Sequence, residues 1–316
     1  MKKLSLLKTK AAVTLCICGC IFTMGLMNAG ESKAATITTE IESIKAGEKI
    51  KLTAGEETSE KIEWSVNNTK RAEISEDGTL KAKTAGKVKV TATDSNGTDT
   101  ITVKINPKKI IAIDAGHQQR GDSSTEPVGP GASTKKAKVA GGTSGVYTKV
   151  PEYKLTLSVA KKLKKELVAR GYKVVMIRTK HNVNISNKER ALKANKTSDI
   201  CIRIHADGSV SSSASGTSAL YPSTSNKYVS KKVSKASKKL SEKVLSSMCK
   251  KTGARNRGTI VRDDLTGTNW STIPVTLIEM GFMSNKAEDI KMQQKSYQEK
   301  LAKGMAEGVD SYYGYK

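Results

Sequence analysis

Two hydrophobic periodicities divide the chain. Between Thr36 and Asn106, apolar and polar residues alternate with period two through Ile50–Leu52, Ile62–Val66, Arg71–Ile74, Leu80–Lys83, Val88–Ala92 and Ile101–Ile105. Such alternation predicts strands with one face in a core and one in water. Asn67-Asn68, Asp77-Gly78 and Asn96-Gly97 supply turns between them, at the spacing a β-sandwich requires. Trp64 is its expected core aromatic.

Past the linker Asn106-Pro107-Lys108-Lys109 the pattern changes. Ile110–His117 reads as a short buried strand that Asp114, Ala115 and Gly116 break into a turn, leaving His117 at its carboxyl end. Lys173–Arg178, Ile200–His205 and Val275–Glu279 end in the same way, each with a titratable side chain after a run of sheet formers. Helices are expected between them. Pro151-Glu152 opens one whose Leu155, Val159, Leu163 and Leu167 share a face until Gly171 stops it, and Ser186–Glu189 is a capping box opening a second through Ala194. Asn226–Lys251 and Gln298–Tyr313 are two more, with a short strand at Ser218–Tyr221. Gln118–Val150 is left as a long polar loop, of a length that is usually functional or mobile. Strands alternating with helices predict an α/β fold with an open, largely parallel sheet flanked by helices, and such sheets keep their chemistry at the strands' carboxyl ends.

The first residues change the picture of where this protein works. Lys2, Lys3, Lys8 and Lys10 precede an apolar run from Ala11 to about Met27, and Ser32-Lys33-Ala34 follows. That is the form of a secretory signal peptide over residues 1–34, cleaved at about Ala34. It is favoured over an uncleaved anchor, whose apolar run would be longer and uninterrupted, and over a lipoprotein site at Cys20. No stable membrane anchor is therefore expected. Cys16, Cys18 and Cys20 leave with the leader, so Cys201 and Cys249 are expected as buried, inert thiols rather than a disulfide framework.

Charge narrows the partners. The chain carries a formal net charge of +25, yet residues 36–106 hold 11 basic and 12 acidic side chains, so the excess lies beyond them. A domain this basic expects a polyanion. Outside a cell that means wall polymers or anionic head groups. Nucleic acid is excluded as a partner, because no basic stretch is interleaved with aromatics.

Among the three histidines, His117 and His205 lie at strand ends. Either alone would more often be structural. Glu279 ends a third strand, where an unpaired buried carboxylate would be costly and would want a cation nearby. Glu152 stands at a helix N-terminus, where its plain reading is dipole complementation. Together they offer two imidazoles and a carboxylate, the set that leaves zinc a coordination position open.

Residues 108–313, within a second domain of residues 108–316, are similar to the zinc-dependent N-acetylmuramoyl-L-alanine amidases of the amidase 3 type. I-A-I-D-A-G-H, P-E-Y-K-L-T-L, the I-R-T after the second strand, S-N-K-E-R-A, I-R-I-H-A-D and I-E-M-G-F-M-S-N occur in family order. W-S-V-N-N and the stretch A-E-I-S-E-D-G-T-L-K-A-K-T-A-G-K-V-K-V-T-A-T make residues 36–106 resemble a bacterial immunoglobulin-like family 2 sandwich, usually a spacer or adhesive module. The resemblance implies that His117, Glu152 and His205 hold Zn2+ and that Glu279 is the catalytic carboxylate. It also implies an enzyme cutting the bond between N-acetylmuramic acid and L-alanine in peptidoglycan. The leader adds a secreted or wall location and the basic charge adds anionic wall polymers as further partners, with no oligomeric state assigned. Arg178 and Arg190 are candidates to orient Glu152 or Glu279 or to meet a substrate carboxylate, against a structural ion pair. His181 is given no role, as a solvated surface residue. The family commonly has Asn where Asp207 follows Ala206, and the loop 118–150 is longer than in its shortest members, so contacts there are not carried over. Two other readings stand beside this one: a zinc carboxypeptidase or endopeptidase acting within the stem peptide, and a non-catalytic wall-binding protein.

Overall fold

The computed structural model of the protein describes residues 35–55 and 61–315. The expected leader lies outside the described residues. No helix among the described residues is long and apolar enough to cross a membrane.

The alternating segment forms β1 (Ser43–Lys45), β2 (Lys49–Lys51), β3 (Glu63–Val66), β4 (Ala72–Ile74), β5 (Thr79–Ala82), β6 (Gly86–Asp94) and β7 (Gly97–Asn106). They sort into one sheet of order β1-β7-β6-β3 and another of order β2-β5-β4. The inward residues, among them Leu52, Leu80, Val88, Val90, Val103 and Ile105, form one buried cluster between the sheets. Trp64 is half-buried against that cluster rather than at its centre. Aliphatic side chains fill the core, and the indole closes its rim. β1 carries a single apolar residue, Ile44, so periodicity gave no sign of it.

The remainder runs β8 (Ile110–Ala115), β9 (Asp122–Pro127), β10 (Lys135–Val139), α1 (Glu152–Ala169), β11 (Lys173–Met176), α2 (Asn187–Asn195), β12 (Ile200–Asp207), β13 (Thr217–Tyr221), α3 (Lys231–Thr252), β14 (Asn256–Val261), α4 (Thr266–Asn269), β15 (Val275–Phe282), α5 (Lys286–Gln293) and α6 (Lys295–Tyr313). Six strands make one sheet of order β11-β8-β12-β15-β13-β14. Neighbours are parallel except β13 against β15. This is the open, largely parallel α/β sheet expected from the alternation of elements.

Helix ends follow their local chemistry. Ser186 accepts from the Glu189 amide while Glu189 accepts from the Ser186 amide, the reciprocal capping box read in the sequence. On α1 the stripe Leu155, Val159, Leu163 and Leu167 is buried. Each such side chain contributes roughly 1.5–3 kcal/mol relative to exposure. α3 starts at Lys231, five residues later than Asn226, because the Ser230 hydroxyl caps it by accepting from the Val233 amide.

The stretch 118–150 is where expectation and structure differ most. It holds the antiparallel ribbon β9–β10, whose residues are mostly polar on both faces and so show no buried-strand signal. β14 is an edge strand of similar character, exposed over much of its length.

Alternation along the strands decides what each face of the large sheet carries. Ile111, Ile113, Ile202, Ile204, Ile278 and Met280 belong to a large core with residues of α1, α3 and α6. Ala112, Cys201 and Val275 belong to a smaller cluster with Ile177 and Ala194. Residues two and four further along these same strands therefore rise on the smaller-cluster side toward the carboxyl edge. Those residues are Asp114, Arg203, Leu277, His205 and Glu279.

Candidate metal and catalytic site

Strand register assembles the site. Arg203 stands opposite Asp114, and one step nearer the edge His205 stands opposite Glu279. His117 lies two residues beyond β8. Its φ of 57° is left-handed, a conformation costing a non-glycine residue of order 1–3 kcal/mol. The cost is offset by tethers: Arg190 Nη2 donates to the His117 carbonyl at 3.0 Å, and Arg178 Nη2 donates to the Gly116 carbonyl at 3.0 Å. The His117 ring is fixed as well, with Nδ1 2.8 Å from the Ala140 carbonyl oxygen. A carbonyl can only accept, so Nδ1 carries a proton, and in the neutral ring Nε2 is the nitrogen free for a metal.

That nitrogen faces two neighbours. His117 Nε2 is 3.1 Å from Glu152 Oε2 and 3.2 Å from His205 Nδ1, and His205 Nδ1 is 3.2 Å from Glu152 Oε1. Glu152, the first residue of α1, is 3% exposed and accepts from the amides of Thr143 at 3.1 Å and Ala206 at 3.0 Å. Two glycines make room. A Cβ at Gly116 would lie 2.5 Å from the His205 ring, and one at Gly142 would lie 2.8 Å from His117 and 2.9 Å from Glu152.

Burial pushes His205 down to about 4, its bond to Glu152 offsetting only part of that, so the ring is neutral at pH 7. Burial also opposes charge on His117, but the Glu152 carboxylate outweighs it and raises the ring above its ordinary value. Burial works against charge on Glu152 too, yet the bonds to both histidines hold it well below the usual carboxylate range. Glu279 is the contrast: burial first, then the Glu152 and Asp207 carboxylates, push it well above the ordinary value. Its Oε2 is buried without a hydrogen-bond partner among the described residues, and so is His205 Nε2.

These residues fit a metal ion. Tetrahedral ligands at about 2.0–2.1 Å stand roughly 3.3 Å apart, close to the separations of 3.1 and 3.2 Å found here. The three ligand atoms lie within 4.8 Å of one another. Glu279 shares a cleft of about 260 Å3 with His117 and His205, walled by Leu220 and Leu277 and by the guanidinium groups of Arg203 and Arg262. A cation at the cluster would relieve the unpartnered carboxylate.

Arg178 and Arg190 lie beneath this cleft rather than in it. Arg178 donates to the carbonyls of Ala115, Lys180, Gly116 and Tyr153 and to Thr156 Oγ1, and among the described residues meets no carboxylate. Arg190 pairs with Asp114 at 2.8 Å and also holds Ala115, His117, Ile185 and Gln118. Both are 2% exposed, so neither is open to a substrate, and neither touches Glu152 or Glu279. Their work is to hold the turn that carries His117. His181 is half-buried, its ring 5.3 Å from Tyr153 and its Nδ1 buried without a partner, and is not the solvated residue expected. The Asp207 carboxylate accepts from the Gly208 amide and is not one of the three clustered residues.

Three features of the site have no counterpart in the sequence reading. Asp114 is not a strand breaker but lies within β8, 1% exposed, bonded to Arg190 and to Arg203 Nε at 3.0 Å. An aspartate amid isoleucines, with an arginine alternating into a second core strand, was the available signal. The loop 118–150 supplies the Ala140 carbonyl and the Thr143 amide through its backbone, which no residue type betrays. Arg262 enters the cleft from just beyond the unforeseen strand β14.

An open α/β sheet bearing a His/Glu/His cluster beside a partnerless glutamate is the architecture of a hydrolase with a candidate metal centre. The chain belongs to the N-acetylmuramoyl-L-alanine amidase family, whose model matches residues 111–311. A bacterial Ig-like domain (group 2) model matches residues 32–105. The chain is 29% identical over 163 residues to N-acetylmuramoyl-L-alanine amidase LytC of Bacillus subtilis (strain 168), covering 51% of this chain and 31% of that protein. It thus spans about a third of that relative's length. Among solved structures, an N-acetylmuramoyl-L-alanine amidase from Clostridium difficile 630 superposes with TM-score 0.54 at 28% identity, over 67% of this chain and 100% of the other. The amidase Ami1 from Mycobacterium smegmatis shares the fold with TM-score 0.59 at 23% identity, over 66% and 98% of the two chains.

Proposed function

We propose that this chain is a secreted, zinc-dependent amidase that hydrolyses the bond between the lactyl group of N-acetylmuramic acid and L-alanine in peptidoglycan. Residues 1–34 would be its leader, 36–106 an immunoglobulin-like module and 108–316 the catalytic domain. The observation that carries the reading is the convergence of His117 Nε2, His205 Nδ1 and the Glu152 carboxylate, with the unpartnered Glu279 in the same cleft. The named amidases among its relatives support the substrate class and action at the wall.

In this reading His117, Glu152 and His205 hold the ion. When bound, zinc supplies Lewis acidity, polarising a carbonyl and bringing the pKa of water toward about 7. The chain's own residues do the rest. Glu279 Oε2 accepts the proton released as water adds to the amide carbon, and returns it to the alanine nitrogen as the C–N bond breaks. The products are a free lactyl carboxylate and a free L-alanine amine. Burial and the neighbouring carboxylates raise Glu279 above the ordinary carboxylate value, which strengthens it as a proton acceptor and lets it hold the proton until the C–N bond breaks. Leu220 and Leu277 supply the apolar part of the cleft wall, and Arg190 keeps His117 in its left-handed turn.

Digestion of purified peptidoglycan tests this. New L-alanine amino termini without new reducing sugar ends support the amidase reading. New termini within the stem peptide would favour a carboxypeptidase or endopeptidase, and unchanged walls a non-catalytic wall-binding protein.

A further inference from the structure

The all-β module and the catalytic domain are closely joined. A Cβ at Gly171 would lie 2.6 Å from the Ala46 side chain and 3.0 Å from the Lys83 carbonyl oxygen, both of the module. Beside this junction runs a groove of about 710 Å3. Lys70 and Lys83 come from the module, and Lys161, Lys164, Lys165 and Val168 from α1. The helical residues fall at i, i+3, i+4 and i+7, one face of the helix.

Charge in the groove is nearly all of one sign. Among the described residues, Lys70, Lys161, Lys164 and Lys165 have no carboxylate within 4.0 Å, while Lys83 pairs with Glu73 at 2.6 Å. Like charges three and four residues apart destabilise a helix, so α1 bears an unfavourable cluster that an external anion would relieve. Val168, 39% exposed, adds an apolar strip along the same face. At 1.5 Å rise per residue, Lys161 stands roughly 13 Å and Lys165 roughly 20 Å along the helix from Glu152. The groove is therefore remote from the cleft.

We propose that this groove binds a linear polyol phosphodiester polymer of the wall. The cations are all lysines, point charges that track a flexible chain of singly charged phosphates, with no arginine fork to match a planar carboxylate. Val168 suits the methylene carbons between phosphates. The site shares with the proposed function only its location at the wall, and its ligand contains no scissile amide.

The test uses the full mature chain and a soluble poly(glycerol phosphate), with Kd measured by fluorescence anisotropy across a salt series. The variant Lys161→Gln, Lys164→Gln, Lys165→Gln should bind about tenfold or more weakly, with a shallower salt dependence, while cleavage of short soluble muropeptides stays unchanged. A control variant with the same charge loss, Lys231→Gln, Lys232→Gln, Lys235→Gln, at exposed positions of α3, should keep wild-type affinity. Equal losses in both variants overturn the proposal. So does binding of polyglutamate, or of phosphatidylglycerol vesicles, as tight as that of the phosphodiester. Peptidoglycan cleavage absent in the unsubstituted chain, with its polymer binding intact and lost in the α1 variant alone, would refute the amidase reading and leave this one standing.

Discussion

Replacing Asp114 by asparagine removes a charge and almost no volume from beneath the site. The carboxylate is 1% exposed, with Oδ1 2.8 Å from Arg190 Nη1 and Oδ2 3.0 Å from Arg203 Nε. Leaving a buried charge without its partner costs about 3–5 kcal/mol. Both guanidinium groups keep other acceptors, Arg190 the carbonyls of Ala115, His117 and Ile185, and Arg203 the Asn187 side chain. We therefore expect the lower end, about 3 kcal/mol, a large share of the roughly 5–15 kcal/mol that holds a typical domain folded. Urea unfolding of the metal-free protein reads it as a lower midpoint with an unchanged slope. Trp270, whose indole donates to the Pro127 carbonyl at 2.9 Å, reports the catalytic domain in a Trp64→Phe background. The pH dependence has a definite sign. Burial opposes the charge, but Arg190 and Arg203 hold Asp114 well below its ordinary 3.8. A carboxylate depressed in the folded state contributes fully above 3.8, and the contribution is lost as pH falls through the folded value. The gap between wild type and variant should be constant near neutrality and shrink in acid. A gap under about 1 kcal/mol at pH 7, or one that widens on acidification, would refute the role assigned to Asp114.

Gly116→Ala places a methyl group 2.5 Å from the His205 ring. It should displace the imidazole and weaken zinc binding by about 10–100-fold, measured against a competing chelator; unchanged affinity would mean the ring has room to move. Zinc affinity should fall with acidification. His205 is already neutral above about 4 and Glu152 already ionised, so His117, raised above 6.5, supplies the one displaced proton. Between roughly pH 5 and 6.5 the logarithm of the affinity should change by about one per pH unit, and a slope near two would contradict this. His181→Ala should leave wall digestion at the wild-type rate, since the ring packs on Tyr153 away from the cluster.

Much of the fold was legible because burial writes itself as periodicity. Leu155, Val159, Leu163 and Leu167 announced α1, and Ser186 with Glu189 marked the start of α2. Strands polar on both faces, β9, β10 and β14, left no such trace. The site divides along the same line. His117, Glu152, His205 and Glu279 were visible because titratable side chains stood at element ends, where the sheet topology brings them together. Arg178 and Arg190 were visible as charges, but their partners were backbone carbonyls and Asp114, so their orientation toward the turn and away from the cleft could not be read. Asp114 was mistaken for a breaker because aspartate favours turns. Only the register with Arg203 reveals it as the counter-charge of a buried cluster. Gly116 and Gly142 were unreadable as cradle positions, since a close approach depends on what lies opposite.

The most direct test separates holding the ion from moving the proton. In Glu279→Ala, zinc bound per chain should stay at about one while release of stem peptides from purified walls ceases, because three other side chains bind the ion and this one transfers the proton. Loss of zinc from that variant, or release at the wild-type rate with zinc still bound, would contradict the division of labour on which the proposed mechanism stands.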